Sequence, residues 1–177
     1  MKLQEITTER TQLIHILPEH TNDIHEMYTD EYLCHFYGII QFKKIEQTSK
    51  VILDWENNLK AKTGVQWGIQ LKENNKVVGT VGFHNWEPNV KAEIGFGLNK
   101  DYRKKGFVTE AINATIEYGF NELKLLSIEA HIDPSNTNSK KVLENTGFIQ
   151  KAHLKKNFFS NGEYYDTLVY VKTNQTK

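Results

Sequence analysis

The sequence predicts an α+β fold built around a mixed central sheet, and three observations support this prediction. The segments VQWGIQL and VVGTVGF alternate like strands and flank the polar turn KENNK, which indicates a hairpin over residues 65–83. After Gly106, apolar residues recur every four positions, which predicts one buried helix face. Strand-rich and helix-rich segments are mixed without regular βαβ alternation, which favours α+β over a parallel-sheet architecture.

The amino-terminal half is predicted to place helices before the sheet. Within residues 18–60, Thr48, Ile52, Trp55 and Leu59 keep helical spacing, and Gly64 offers a stop. A third strand is expected at about 90–98, directly after the hairpin.

The carboxyl-terminal half continues with alternating element types. The helix after Gly106 is expected to end near Asn121, and the segment LLSIEAHI predicts a strand at 125–132. A short helix is expected at about 137–146, with Gly147 as its stop, and a last pair of strands is expected to turn at Asn161-Gly162.

Length and composition bound the possible functions. The 177 residues suit one domain, residues 1–177. Because 22 basic residues balance 22 acidic ones, neither a nucleic-acid partner nor an anionic membrane is expected. Residues 1–11 are too polar for a signal-peptide core and no long apolar run is present, so a cytoplasmic protein is expected. The single cysteine and the absence of paired histidine spacing predict neither a disulfide framework nor a metal site.

The strand AEIGFGL contains the first candidate site. Alternation places Glu93 on one face together with Gly95 and Gly97, and glycines in a strand often mark the close approach of a ligand. This favours a slot beside Glu93. The alternative is a bulge, or a helix packed closely over the glycines, with Glu93 in solvent.

Clusters of cations at two predicted helix starts form the second candidate site. Arg103, Lys104 and Lys105 precede the helix that follows Gly106, and two more lysines occupy the first turn of the short distal helix. A helix amino terminus already carries partial positive charge, so cations there are unfavourable unless an anion such as phosphate is bound. The alternative is a solvated basic surface.

These segments resemble the GNAT acetyltransferases, in the branch that contains the ribosomal-protein N-terminal (serine/alanine) acetyltransferases. The run RKKGFV at 103–108 is similar to the family's acetyl-CoA pyrophosphate signature, with Val108 standing where Gly or Ala is usual. The runs TEA at 109–111, NTNS at 136–139 and VLENTGF at 142–148 match the branch in order and spacing, and TERTQL at 8–13 resembles its first strand.

The resemblance implies a sheet of six or seven strands, splayed in the middle, with about four helices around it. It implies acetyl-CoA as cosubstrate, bound between the fourth and fifth strands. The residues implied in cofactor binding are Phe96, Gly97, Leu98, Arg103, Lys104, Lys105, Gly106, Phe107, Val108, Thr109, Asn136 and Ser139.

The implied reaction is acetyl transfer to a primary amine, which needs a proton acceptor, a stabilised oxyanion and a proton for the leaving thiolate. Glu93 is the candidate to take the ammonium proton through a water. Ser139 is the candidate to act on the sulfur, because the position that carries a tyrosine in many members of the superfamily is Leu143 here.

Two functions of different class remain open. One is an N-acetyltransferase that acts by direct transfer in a ternary complex on a protein amino terminus or a small cationic amine. The other is a non-catalytic acyl-CoA-binding sensor. The resemblance implies that residues 18–60 form one wall of the acceptor groove, and because they carry eight acids against four bases, a cationic acceptor is expected. A homodimer is possible because dimers are common in the resembling branch.

Overall fold

The computed structural model describes residues 3–160 and 162–175. These form one eight-stranded mixed sheet with the order β1-β2-β3-β4-β5-β6-β8-β7. The strands are β1 (Ile6–Thr7), β2 (Thr11–His15), β3 (Val65–Leu71), β4 (Val77–Glu87), β5 (Lys91–Leu98), β6 (Ser127–Ile132), β7 (Ile149–Ser160) and β8 (Glu163–Thr173). Neighbouring strands pair antiparallel except β5 and β6, which are parallel.

Five α-helices accompany the sheet in the described chain. They are α1 (Thr21–Tyr28), α2 (Glu31–Tyr37), α3 (Ile45–Ala61), α4 (Phe107–Asn121) and α5 (Thr137–Asn145). The fold class and the hairpin of β3 and β4 are confirmed. The described strands and helices each exceed the expected number, because residues 8–10 interrupt the first strand and residues 18–60 contain three helices.

Two hydrophobic clusters hold these elements. The larger one packs α4 against the sheet, with Trp67, Phe83 and Ile112 almost wholly buried, as the four-residue spacing of α4 predicts. The smaller cluster packs α1, α2 and α3 beside Val77 and includes Ile24 and Cys34. These three helices therefore cover the sheet next to β4.

The end of α3 and the turn between β7 and β8 are the two predicted boundaries that the described structure does not simply reproduce. The predicted helix stop at Gly64 was wrong: α3 ends at Ala61, because Lys62 takes a left-handed conformation (φ 58°) and closes the helix itself. The predicted turn at Asn161-Gly162 falls partly on Asn161, which lies outside the described residues, while Ser160 and Glu163 pair on either side of it.

Candidate active site

The centre of the sheet opens because β5 and β6 pair over only a short stretch. In the described chain this ladder has three pairs, from Lys91 with Ser127 to Glu93 with Glu129. Residues 94–98 continue to pair with β4, whereas Ala130 to Ile132 continue to pair with β8. Beyond Glu93, alternate backbone groups of β5 therefore face an opening rather than a neighbouring strand.

A cleft of about 260 Å³ lies in this opening; we call it the splay cleft. Most residues that the resemblance implied for the cofactor line it: Phe96, Gly97, Leu98, Arg103, Lys104, Gly106, Val108, Thr109, Asn136 and Ser139. Lys105 and Phe107 do not: the Lys105 ammonium lies over the Tyr102 ring, and the Phe107 ring lies under the Arg10 guanidinium. The fold thus gathers two sequence segments, 96–109 and 136–139, around one space.

The start of α4 presents backbone amides to the splay cleft. Gly106 is the N-cap in a left-handed conformation (φ 84°), and within the described residues no side chain caps this end. The first amides of a helix have no partner inside it, so those of Phe107 to Thr109 are available to an anion.

Two ion pairs hold the loop before α4. Arg10 donates from Nη1 to the Lys105 carbonyl oxygen (2.9 Å) and from Nε to Glu110 Oε2 (2.9 Å). Arg103 pairs with Asp30 at the start of α2 and lies over the Tyr32 ring. Arg103 therefore lines the cleft with a guanidinium that is already paired.

The glycine slot on β5 is filled by the protein itself. A Cβ added at Gly97 would overlap the Tyr37 hydroxyl, and one at Gly95 would lie 3.1 Å from His84 Cε1. A helix does pack over Gly97, as the alternative interpretation held, yet the Glu93 side chain is only 17% exposed. Burial raises the pKa of Tyr37 to about 12, although a hydrogen bond with Thr80 and the charge of Arg103 act in the other direction.

Two further cavities lie beside the splay cleft and share lining residues with it or with each other. The junction cavity, about 420 Å³, shares Tyr37, Phe96, Asn136 and Ser139 with the cleft. The acidic pocket, about 520 Å³, shares Glu93 and other residues with the junction cavity. Ser139 therefore lies between the first two spaces and Glu93 between the last two.

Glu93 is held by three side chains. His84 Nε2 lies 3.1 Å from Oε1, Asn85 Nδ2 donates to Oε2 at 3.0 Å, and His131 Nδ1 lies 3.8 Å from Oε1. Burial acts to raise the pKa of Glu93, but the hydrogen bonds from His84 and Asn85 and the charges of the two histidines outweigh it and lower this pKa below its ordinary value.

The start of α5 places Asn136 and Ser139 against each other. Asn136 is the N-cap, and its Oδ1 accepts a hydrogen bond from the Ser139 amide (3.1 Å). This fixes the first turn of α5 and sets Ser139 at the border between cleft and junction. Next to it, Asn138 Nδ2 donates to the Tyr32 hydroxyl (2.7 Å), which links α5 to α2 across the cleft.

The acids of residues 18–60, which were expected to line the acceptor groove, do not line the acidic pocket or the junction cavity. None of the eight acids between residues 18 and 60 lines the described acidic pocket or the junction cavity, and Asp23, Glu26, Asp30 and Glu56 form ion pairs with Lys or Arg instead. The pocket takes its acids from later segments: Glu93, Asp133 and Asp166. The segment count could not distinguish structural ion pairs from pocket-lining carboxylates.

The sequence analysis did not name several residues of the site, among them Tyr37 and His84. Tyr37 lines all three cavities, and His84 lines the junction cavity and the acidic pocket. His84 pairs directly with Glu93 across β4 and β5. Extending the predicted hairpin register to the third strand would have brought these two residues together, whereas no local pattern marks Tyr37.

Cys34 is buried in the smaller cluster, where its Sγ donates to the Tyr28 carbonyl oxygen at 3.2 Å. Burial, followed by the nearby Asp30 charge, raises the pKa of this thiol. A thiol with a raised pKa is a poor nucleophile, which disfavours an acetyl-cysteine route.

Within residues 3–160 and 162–175, no group of three or more His, Cys, Asp or Glu side chains could hold a metal ion. Over the same residues, no helix has the length and apolar character needed to cross a membrane.

Comparison with known proteins places the chain in a family. Residues 10–149 match the acetyltransferase (GNAT) domain. An uncharacterized N-acetyltransferase, YoaA of Bacillus subtilis, is 30% identical over 166 residues, which cover 93% of this chain and 94% of that protein.

Solved structures agree with this match. The acetyltransferase (GNAT family) from Bacillus anthracis superposes with a TM-score of 0.87 at 27% identity, covering 96% of this chain and 98% of that one. A ribosomal L7/L12 alpha-N-protein acetyltransferase solved in complex with coenzyme A has a TM-score of 0.83 at 16% identity, over 98% and 100% of the two chains, and so shares the fold. The chain therefore belongs to the GNAT family of acetyltransferases and is an acetyl-CoA-dependent N-acetyltransferase.

Proposed function

We propose that this enzyme transfers the acetyl group of acetyl-CoA directly to a cationic primary amine, with both substrates bound at once. The observation that carries the proposal is the row of three neighbouring cavities, from the splay cleft through the junction cavity to the acidic pocket, each of which shares lining residues with the next. Its two ends differ in chemistry, since one has a helix amino terminus and lysines and the other has three carboxylates. A thioester and an amine entering from opposite ends would meet between Ser139 and Glu93.

The splay cleft has the donors that acetyl-CoA requires. The amides at the start of α4, together with Lys104, which lines the cleft, would hold the pyrophosphate at the positive end of the helix, and Lys105 would join them by leaving the Tyr102 ring. The unpaired edge of β5 from Phe96 to Leu98 would pair with the pantetheine arm, and Asn136 would reach one of its amides. Arg103 would contribute through its pair with Asp30, which holds the loop in place.

The reacting atoms would lie in the junction cavity. Ser139 would donate a hydrogen bond to the departing thiolate, and backbone amides of Phe96 to Leu98 would stabilise the oxyanion with little reorganisation. Glu93, on the acceptor side, would take part in removing the proton from the ammonium of the acceptor.

The acidic pocket supports a cationic acceptor. Its charged lining consists of Glu93, Asp133 and Asp166, and Phe158 and Tyr165 add aromatic surface. Carboxylates attract ammonium groups and aromatic faces accept cations, so both a protein amino terminus and a small polyamine suit this lining.

A screen for thiol release from acetyl-CoA tests this function. The panel contains diamines, aromatic amines and peptides with free amino termini, and each amine has its N-acetylated form as a matched control. We expect release with cationic amines only. Calorimetric binding of acetyl-CoA without thiol release across the panel would favour the acyl-CoA-binding sensor instead.

Two predictions from the sequence remain, that residues 1–177 form one domain and that the protein is cytoplasmic, together with the possibility of a homodimer. Light scattering coupled to size-exclusion chromatography measures the oligomeric state directly, and a monomer would contradict the dimer.

A further inference from the structure

The Glu93 carboxylate is contacted by two consecutive residues of β4, one at each of its oxygens. His84 Nε2 contacts Oε1 and Asn85 Nδ2 contacts Oε2. In a regular strand, consecutive side chains point to opposite faces of the sheet, so two neighbours cannot both reach one carboxylate. The arrangement therefore requires an irregular backbone.

The irregularity lies at this point of β4. The register with β5 shifts between His84 and Glu87, and Asn85 has a left-handed conformation (φ 47°). Left-handed residues other than glycine are uncommon and cluster at functional sites. Bulges of this kind often re-aim a side chain beside an active site. Here the bulge turns Asn85 towards the carboxylate that His84 already contacts.

Gly95 provides the space for the His84 ring. A Cβ at Gly95 would lie 3.1 Å from Cε1 and 3.4 Å from Nδ1 of His84, so the imidazole rests against bare backbone. Since Nε2 points to Glu93, Nδ1 is left on the other side of the ring. His84 is 49% exposed and lines both the junction cavity and the acidic pocket, where the amine would arrive.

Building on the proposed function, we propose that His84 is the general base of the reaction and that Glu93 is the residue that positions it. Glu93 would accept the Nε2 hydrogen and so leave Nδ1 with a free lone pair. A carboxylate has this role towards histidine in the Ser-His-Asp triad. Glu93 is the poorer base because both of its oxygens already accept hydrogen bonds and its side chain is largely buried.

The proton balance follows from this assignment. The ammonium R–NH₃⁺ gives one proton to His84 Nδ1, and the free amine attacks the thioester carbon as the C–N bond forms. The C–S bond then breaks, the amide nitrogen loses its second excess proton, and the thiolate gains one. The sum is R–NH₃⁺ plus acetyl-CoA giving the acetamide, free thiol and one proton, which leaves from His84 to solvent.

Other titratable groups border the same space and enter any pH profile. They are Glu93 on β5, His131 on β6 with Asp133 after it, Tyr165 and Asp166 on β8, and His35 and Tyr37 on α2. His131 is the alternative base, since its Nδ1 lies 3.8 Å from Glu93 Oε1 and its Nε2 lies 3.5 Å from Glu129. It contacts carboxylates through both nitrogens, whereas Nδ1 of His84 has no hydrogen bond or ion pair with any of the described residues.

The test compares His84→Gln with His131→Gln in the thiol-release assay, with the best cationic amine from the panel. His84→Gln should lower kcat/KM about 10²-fold or more at pH 7, the range for loss of a general base. The loss should shrink towards alkaline pH, where the amine deprotonates without help. In His84→Gln the acidic limb should follow deprotonation of the amine itself and so move to higher pH, whereas in His131→Gln it should stay as in the wild type.

Two further measurements keep the outcomes distinct. Calorimetry should show that His84→Gln still binds acetyl-CoA, and nitrogen NMR should show that neutral His84 carries its proton on Nε2. An Nδ1-protonated ring, or acetyl transfer with an unchanged pH profile in His84→Gln, would overturn the base assignment alone. Failure of every amine to release thiol from the wild-type enzyme would overturn the proposed function as well.

Discussion

At the scale of single residues, Ser139 is the proposed proton donor to the leaving sulfur, and its place is set by Asn136. Its amide is fixed by the N-cap Asn136, and its side chain borders both the splay cleft and the junction cavity. Leu143, in place of a tyrosine, is wholly buried and offers no proton. Ser139 is therefore the hydroxyl that we propose to act on the departing thiolate.

We predict that Ser139→Ala lowers kcat by about 10²-fold while changing the dissociation constant of acetyl-CoA little, because loss of a proton donor acts on the transition state. Ser49→Ala on the exposed face of α3 is the matched control. Stopped-flow thiol release and calorimetry give the two quantities. An equal effect on both would reduce Ser139 to a helix-start residue.

Glu110 shows a structural carboxylate near the same site. Its Oε1 accepts hydrogen bonds from Thr8 Oγ1 (2.5 Å), the Arg10 amide (2.7 Å) and the Thr11 amide (3.1 Å). Burial acts to raise the pKa of Glu110, but these hydrogen bonds and the charge of Arg10 lower it to about 2. This side chain ties the turn between β1 and β2 to the start of α4.

The stability of the fold should follow the ionisation of Glu110. Because the folded pKa is depressed, the stabilisation is present above the unfolded pKa of about 4.3 and is lost as pH falls towards 2. One pKa unit corresponds to about 1.4 kcal/mol, but the Arg10 side chain is half exposed and solvent screens its charge, so Glu110→Gln should cost about 1–2 kcal/mol of unfolding free energy at pH 7.

Urea denaturation at a series of pH values checks this, with Glu117→Gln on the exposed face of α4 as the control. The gap between wild type and Glu110→Gln should narrow below pH 4.5. A gap that is independent of pH would show that the variant acts through packing rather than through charge.

At the scale of elements, the loop before α4 is the part that we propose to bind phosphate. Arg10 holds it from one side and Arg103 from the other, which leaves Lys104 and Lys105 as cations with exposed side chains. Three cations at a positive helix end oppose the dipole, and bound pyrophosphate would remove that cost.

Changing Lys104 and Lys105 together to Glu should weaken coenzyme A binding at least about 10-fold by calorimetry, with little change in melting temperature. The matched control is the double variant Lys62→Glu and Lys124→Glu, which changes two exposed lysines that do not line the cleft. Both control lysines have the left-handed backbone conformation that Lys104 also has, so the control matches this feature as well. Equal affinity in the two double variants would remove the phosphate role of the loop.

Elements with strong periodicity were predictable from sequence, and irregular ones were not. The α4 pattern gave the helix and its buried face, because four-residue spacing has one interpretation. The bulge at residues 84–87 had no local signal, since Asn85 turns towards Glu93 only in the folded sheet. Likewise the bare face of Gly97 predicted close approach correctly, but not that Tyr37 would be what approaches.

At the scale of the whole molecule, charge is neutral in total but is placed unevenly around the site. Carboxylates line the acidic pocket, whereas cations of the loop before α4 lie beside the splay cleft. The net charge of the chain and the charge of each segment do not reveal this distribution.

Acceptor selection should depend on the pocket acids rather than on those of residues 18–60. Asp133→Asn should raise KM for a cationic amine several-fold at low salt, and the effect should shrink as salt screens the field. Asp54→Asn, on the exposed side of α3, is the control. Kinetics with a series of peptides from neutral to acidic check that the pocket favours positive charge, because KM should rise as the peptide becomes more acidic. Equal KM values in the Asp133 and Asp54 variants would contradict the assignment of acceptor selection to the pocket acids.

The most direct test of the account is the initial-velocity pattern of thiol release when acetyl-CoA and a cationic amine are varied together. Direct transfer between substrates that occupy the splay cleft and the acidic pocket at once predicts double-reciprocal lines that intersect. Parallel lines, together with an acetylated enzyme detected by mass spectrometry, would contradict the account, because they would require a covalent intermediate.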